Sequence, residues 1–228
     1  MCKIGAEKLV YGAKSELVGN LSGFAGKTQI EPNFLHKVIT GDESWVFNYN
    51  PKTKRQSEDE KWHTKSSPHL KKACMSRSKV KTMIIVFFDS RGIVHKEFVP
   101  PGQTDNHAFY KDVLERLRKR VQRVRRDIAD DWVLQHDNTP AHTALSIREF
   151  LAKENIPVLP HPPYSPDLAP CDFYLFPKLI SKLKSHHFGT MENIQKIVTN
   201  ELNTLTENDF QYCYDQWKKG TSQGSYFE

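Results

Sequence analysis

None of the four cysteines, Cys2, Cys74, Cys171 and Cys213, forms a C-x-x-C pair. That suggests neither a zinc site nor a disulfide framework, and it fits a reducing compartment. No apolar run approaches the roughly 20 residues of a membrane-spanning helix, so no membrane partner is expected. The opening stretch MCKIGAEKLVYGAKSELVG lacks the hydrophobic segment of a secretory signal, so export is not expected. No internal repeat is present, and no small-molecule organic cofactor is expected.

What the 228 residues do hold is enough apolar matter for a core: 38% hydrophobic and 11% aromatic. One domain is the default at this length. Lys and Arg number 33 against 27 acids, giving a net charge of +6, and the pI is about 9.0. The excess favours an anionic partner such as nucleic acid.

Residues 1–33 are weakly patterned and read as a leader; 34–228 read as the folded domain. HKVITGDESWVFNYN predicts a strand with Asp42 in its middle. Residues 50–81 then carry ten Lys or Arg against three acids, with almost no apolar periodicity. A loop this long inside a domain is usually functional; a solvated insert is the plain alternative. MIIVFFDSRGIVHKEFV predicts a hairpin turning at Asp89–Gly92, its first strand buried on both faces. DNHAFYKDVLERLRKRVQRVRRDI predicts a helix through Ile128, apolar at Val113, Leu117, Val121, Val124 and Ile128. WVLQHD predicts a short strand ending at Asp137, AHTALSIREFLAKEN a helix, and IPVLP a last strand. Three further helices are predicted over FYLFPKLISKLK, MENIQKIVTNELNTL and ENDFQYCYDQWKK, with Pro177 in or near a first turn. A meander followed by strand–helix alternation implies an α/β fold, a mixed sheet covered by helices.

Functional groups gather at strand ends in such sheets. If the first and fourth strands are neighbours, Asp42 and Asp137 point to one place. The stretch LPHPPYSPDLAPCDFYLF sets five prolines before Asp172. Rigid residues lower the entropy lost in delivering a third carboxylate to that place. Three close carboxylates repel unless a cation lies among them. Mg²⁺ or Mn²⁺ suits all-oxygen ligands, and a pair of ions can clamp both oxygens of an in-line phosphoryl displacement. Surface placement of the three aspartates is the competing reading.

VITGDESWVFNYNP, LQHDNTPAHTA and VLPHPPYSPDLAPCDFYLFPKLISKL resemble the catalytic core of mariner-family transposases, of the Tc/mariner superfamily. The likeness runs from about Phe34 to Trp217 and returns over QGSYFE. It implies an RNase H-like fold and a metal-dependent DNA nuclease and strand-transfer activity. It also implies a catalytic, metal-holding triad of Asp42, Asp137 and Asp172, with two ions per site. The family leaves 34 residues between its last two aspartates, as here. The basic stretch, at about 48–81, takes the place of a clamp loop that reaches DNA and a partner subunit. Homodimerisation through that loop, DNA as partner and a nuclear location follow as expectations. Lys71, Lys72, Arg77, Lys79 and Lys81 are the candidate phosphate contacts, and solvation is the alternative for each.

Family members begin with paired helix-turn-helix modules that supply sequence specificity. Little sequence precedes Phe34, and the closing QWKKGTSQGSYFE is short for the family. The expectation is a core without targeting modules. A non-enzymatic fragment that binds DNA or a protein partner is the second reading, and nuclease action on RNA–DNA hybrids the third.

Around the triad, His136 and His142 either orient ligands or serve as structural histidines. Asn138 either bonds near the metal or caps the next helix. Arg116, Lys119 and Arg123, on the polar face of the long basic helix, either touch DNA or are solvated. Cys171 reads as a small buried residue, since no histidine pattern supports a nucleophile.

Overall fold

The computed structural model describes residues 34–51, 77–104, 106–184 and 186–223. The leader at 1–33, Lys71 and Lys72 lie outside these residues, as does most of the basic insert. A 3₁₀ turn, Phe34–Lys37, leads into β1 (Val38–Phe47). β2 (Lys81–Asp89) and β3 (Gly92–Phe98) complete an antiparallel meander. β4 (Val133–Gln135) adds to β1 in parallel, giving the order β3-β2-β1-β4.

The central strands are buried on both faces, as the unbroken apolar run Met83–Phe88 implied. Ile84, Val86 and Phe88 face one core, and Ile85 and Phe87 the other. Helix α1 (His107–Val124) lays Tyr110, Val113, Leu114, Leu117 and Val121 on the second core. Short helix α2 (Pro140–Thr143) leads to α3 (Leu145–Lys153), which adds Ile147, Phe150 and Leu151 to it. Helices α4 (Phe176–Leu183), α5 (Met191–Asn203) and α6 (Glu207–Gln223) cover the first core. From α6, the buried Tyr214 hydroxyl donates to the Val38 carbonyl at 2.9 Å, tying the helix to the start of β1.

Several boundaries differ from the sequence expectation, each for a local reason. α1 stops at Val124 instead of Ile128, because Arg125 leaves helical geometry (φ −133°, ψ 55°). Its guanidinium turns to Asp89 instead. The helix expected across residues 141–155 breaks at Ala144, whose ψ of 147° is extended. IPVLP makes one parallel bridge, Leu134–Val158, instead of a strand. Pro157 and Pro160 flank it and have no N–H to extend a ladder. The insert begins after Phe47 and ends before Lys81, which belongs to β2. Its described base continues the β1–β2 ladder: Asn48 N–H donates to the Val80 carbonyl at 2.9 Å, and Ser78 N–H to that of Tyr49 at 3.0 Å.

Candidate active site

Strand register brings the first two aspartates together. Thr40 is the last β1 residue paired with β4, opposite Gln135. Asp42 lies two residues beyond Thr40, and Asp137 two beyond Gln135. The parallel neighbours, about 4.8 Å apart, therefore carry both carboxylates to the point where the chains part. Thr40 and Gln135 fix that register with a buried side-chain hydrogen bond. Gly41 is required beside them, because a Cβ there would lie 2.1 Å from the Phe87 ring.

Asp172 arrives from the proline-rich loop. A 3₁₀ turn at Pro166–Leu168 is followed by a π turn at Cys171–Leu175 that runs directly into α4. The π turn has a local cause. Pro177 has no N–H to offer the preceding turn, and Phe176 N–H bonds back to Cys171, a five-residue step that widens the helix. Cys171 is fully buried with its sulfur 4.0 Å from the Thr40 hydroxyl. That contact sets the next residue, Asp172, beside Asp42.

The electrostatics record the crowding. Burial, then Asp172, Glu43 and Asp137, push the Asp42 carboxyl up to about 8 against the Glu43 backbone N–H that bonds it. Burial also raises Asp172, with Asp137 and Glu43 adding to the rise, while a hydrogen bond with Asp42 opposes it. Burial works against Asp137 as well, but bonds from His142 and the Thr139 N–H bring it down to about 2. The site thus holds one firmly ionised carboxylate beside two that resist a second negative charge.

His142 is the link. Its Nδ1 lies 2.7 Å from Asp137 Oδ1, and its Nε2 3.0 Å from Glu43 Oε1. Burial opposes its charge, yet these two bonds carry it up to about 10, so both ring nitrogens donate. His136 stacks on it in parallel at 5.1 Å and bonds the Tyr110 hydroxyl at 2.8 Å. Burial, then the His142 charge, hold His136 neutral, down to about 3. Asn138 donates to the His161 carbonyl at 2.5 Å and so ties the proline loop to the end of β4. Burial drives the Cys171 thiol well up, so it stays protonated.

Asp137 and Asp172 line an open cavity of about 550 Å³, walled by His161, Pro162, Pro163 and Tyr164. Among the described residues, no group of three or more His, Cys, Asp or Glu side chains is arranged to hold a metal ion by itself. An open site suits Mg²⁺, which keeps waters and takes one or two carboxylates plus substrate phosphates. The donor set fits: hard oxygens, no thiolate, and a mutual repulsion that a cation removes.

Glu43, Gln135, His161 and Tyr110 were not singled out by sequence. Glu43 adjoins Asp42 in a strand, where alternation suggests opposite faces, and the register that lets His142 reach it is a tertiary fact. Gln135, a polar residue inside a buried strand, was the available signal.

The candidate cations lie in two places. Arg77 sits over the Phe47 ring at 4.7 Å and Lys81 over Trp45 at 3.7 Å, with Lys79 exposed nearby at the base of the insert. Lys119 and Arg123 are exposed on α1. Arg116 is committed to Glu97 through two 2.8 Å bonds.

A family profile described as Transposase (partial DDE domain) matches residues 51–130. The mariner Mos1 transposase of Drosophila mauritiana is 34% identical over 205 residues, 86% of this chain and 58% of that protein. Human histone-lysine N-methyltransferase SETMAR is 27% identical over 202 residues, 86% of this chain and 29% of that protein. The chain therefore spans little over half of one relative and under a third of the other. A solved Mos1 paired-end complex with Mn superposes with a TM-score of 0.82 at 31% identity, covering 92% of this chain and 62% of that one. The solved Mos1 catalytic domain gives a TM-score of 0.72 at 30% identity, covering 92% of this chain and 93% of that one. A mixed sheet with helices on both faces and near-complete cover of that domain make this an RNase H-like fold, and the chain belongs to the mariner transposases through their DDE-type catalytic domain.

Proposed function

We propose that this domain cleaves and joins DNA phosphodiesters with two divalent ions, Mg²⁺ or Mn²⁺. Asp42, Asp137 and Asp172 would hold the ions through their carboxylate oxygens. The observation that carries the reading is the convergence of three carboxylates, from β1, the end of β4 and the π turn, with Asp42 driven up to about 8 by burial and its acidic neighbours. Bound divalent ions supply Lewis-acid activation of the attacking oxygen and charge stabilisation of the leaving one. The protein's work is placement. His142 holds Asp137 by one nitrogen and Glu43 by the other. Asn138 holds the proline loop that forms one wall of the cavity. Such chemistry asks little covalent work of the protein.

DNA is the partner, and the nucleus the place of action. Arg77, Lys79 and Lys81 supply phosphate contacts beside the insert, with Lys71 and Lys72 continuing the set. These contacts fix position without reading sequence. The insert is also the place where a second copy docks, which sedimentation at two concentrations tests. For the main reading, purified protein is incubated with supercoiled plasmid in Mn²⁺. Wild type nicks it and Asp137→Ala does not. Equal residual cleavage by both proteins defeats the assignment.

A further inference from the structure

A basic concavity lies away from the carboxylates, at the opposite edge of the sheet. It has a volume of about 740 Å³ and is lined from β3 by Ile93–Lys96, from α1 by Arg116, Lys119, Arg120 and Arg123, and from the end of α5 by Asn203. Three strand spacings, roughly 14 Å, separate β3 from β4. The four α1 cations recur at intervals of three, four and seven residues, so they form one stripe of the helix.

The groove is built by the fold. β3 carries a bulge opposite Phe87, with Val94 as its extra residue. The Val94 carbonyl accepts from Arg120 Nε at 3.3 Å, which holds that guanidinium at the groove wall. Lys96 is fixed on the other side by Asn203 Oδ1 at 2.9 Å, an amide that leaves its charge intact. Glu97 is the neighbouring acid. Burial works against its charge, but bonds from His95 and Arg116 bring it down to about 2. It stays ionised and offsets Arg116 alone. Among the described residues, Lys119 and Arg123 make no ion pair, and Lys96 and Arg120 bond neutral groups only.

We infer that the groove between β3 and α1 is a docking site for the backbone of duplex DNA outside the carboxylate cavity, with Lys119, Arg120 and Arg123 as its phosphate contacts. Charge complementarity names the partner: a row of unpaired cations along one helix matches a row of phosphates, and an amphipathic ligand would meet a wall of guanidinium groups. The site rests on DNA being the partner, but not on cleavage. It carries no base specificity, because such contacts reach phosphate only.

The test is the salt dependence of binding. The full chain, without divalent metal, is titrated onto a 40-base-pair duplex of arbitrary sequence by fluorescence anisotropy from 50 to 200 mM KCl. Each phosphate contact contributes a slope of about −0.9 in log K against log salt. Lys119→Gln/Arg123→Gln is expected to flatten the slope by about 1.8. The matched control Arg148→Gln/Lys153→Gln, on exposed positions of α3, is expected to leave it unchanged. Lys119→Arg should keep the wild-type slope. Equal slopes for wild type and the groove variant overturn the inference, as does an equal change in the control, which would reduce the effect to net charge. Loss of cleavage with the slope effect intact would instead defeat the nuclease reading alone.

Discussion

His142 Nδ1 stands 2.7 Å from Asp137 Oδ1, while the other nitrogen of the same ring is held by Glu43. One buried imidazole thus joins the strand that carries Asp42 to the loop that carries Asp137. Its ring centroid also lies 3.8 Å from that of Tyr110, so packing fixes the ring plane. Removing such a supporting group typically costs 10–100-fold in metal affinity or activity. His142→Gln keeps one donor and is expected to lose less than His142→Ala. Mn²⁺ titration followed by electron paramagnetic resonance gives the affinity, and plasmid nicking gives the rate. Wild-type affinity in both variants would show that Asp137 is held by other means.

Asp42 tests the opposite sign. Its carboxyl meets Asp172, Glu43 and Asp137 in a partly desolvated place. Without a cation this crowding is a cost that the fold carries. Asp42→Asn keeps the shape and cannot ionise, so cleavage is lost while the metal-free protein no longer bears the cost of holding a carboxyl protonated there and becomes more stable at neutral pH, by about 1–3 kcal/mol after allowance for solvent screening. Thermal unfolding in EDTA and in Mn²⁺ separates the two effects. The wild type should gain more from Mn²⁺ than the variant does. A lower midpoint for the variant in EDTA would refute the crowding account.

Gly41→Ala should damage the site through the backbone. The new methyl would fall 2.1 Å from the Phe87 ring, which is fully buried. Overpacking of this kind costs about 1–3 kcal/mol. The displaced residue is next to Asp42, so nicking should fall further than stability alone explains. Phe87→Leu is expected to restore part of both, giving a coupling that a double-mutant cycle in urea measures. Additive losses would place the strain elsewhere.

Much of this was legible from residue order. The unbroken apolar run Met83–Phe88 announced a strand buried on two faces, and it is. The prolines before Asp172 announced a stiff approach, and all four walls of the cavity named above come from that loop. What stayed hidden depends on contacts between distant residues. Arg125 falls inside the helix expected through Ile128; only the fold shows that it leaves the helix for Asp89. Arg116 looked free, and Glu97, 19 residues away, takes it up. The π turn at Cys171–Leu175 needs the buried Cys171 as well as Pro177, and periodicity cannot distinguish it from an ordinary helix start. No residue pattern discloses that Glu43 reaches His142 across 99 positions.

Asp89 offers a test of fold separate from chemistry. It is fully buried at the β2–β3 turn. Its Oδ1 accepts from the backbone N–H groups of Arg91 and Gly92 at 3.0 Å each, and Arg125 grips both carboxylate oxygens at 2.6 and 3.1 Å. One side chain therefore closes the hairpin and anchors the end of α1. Asp89→Ala leaves a guanidinium without its partner and two turn donors unpaired, and breaking a buried pair in this way costs about 3–5 kcal/mol. The Lys182–Glu201 pair, at 2.9 Å but with side chains 41% and 31% exposed, is the contrast. Glu201→Gln should cost under about 1 kcal/mol. Urea unfolding of the two variants checks the difference. A domain of ordinary stability, about 5–15 kcal/mol, survives the second change easily and stands near its limit after the first. Equal midpoints would mean that water replaces the carboxylate at the turn, and that the pair at Asp89 does not hold α1 to the sheet.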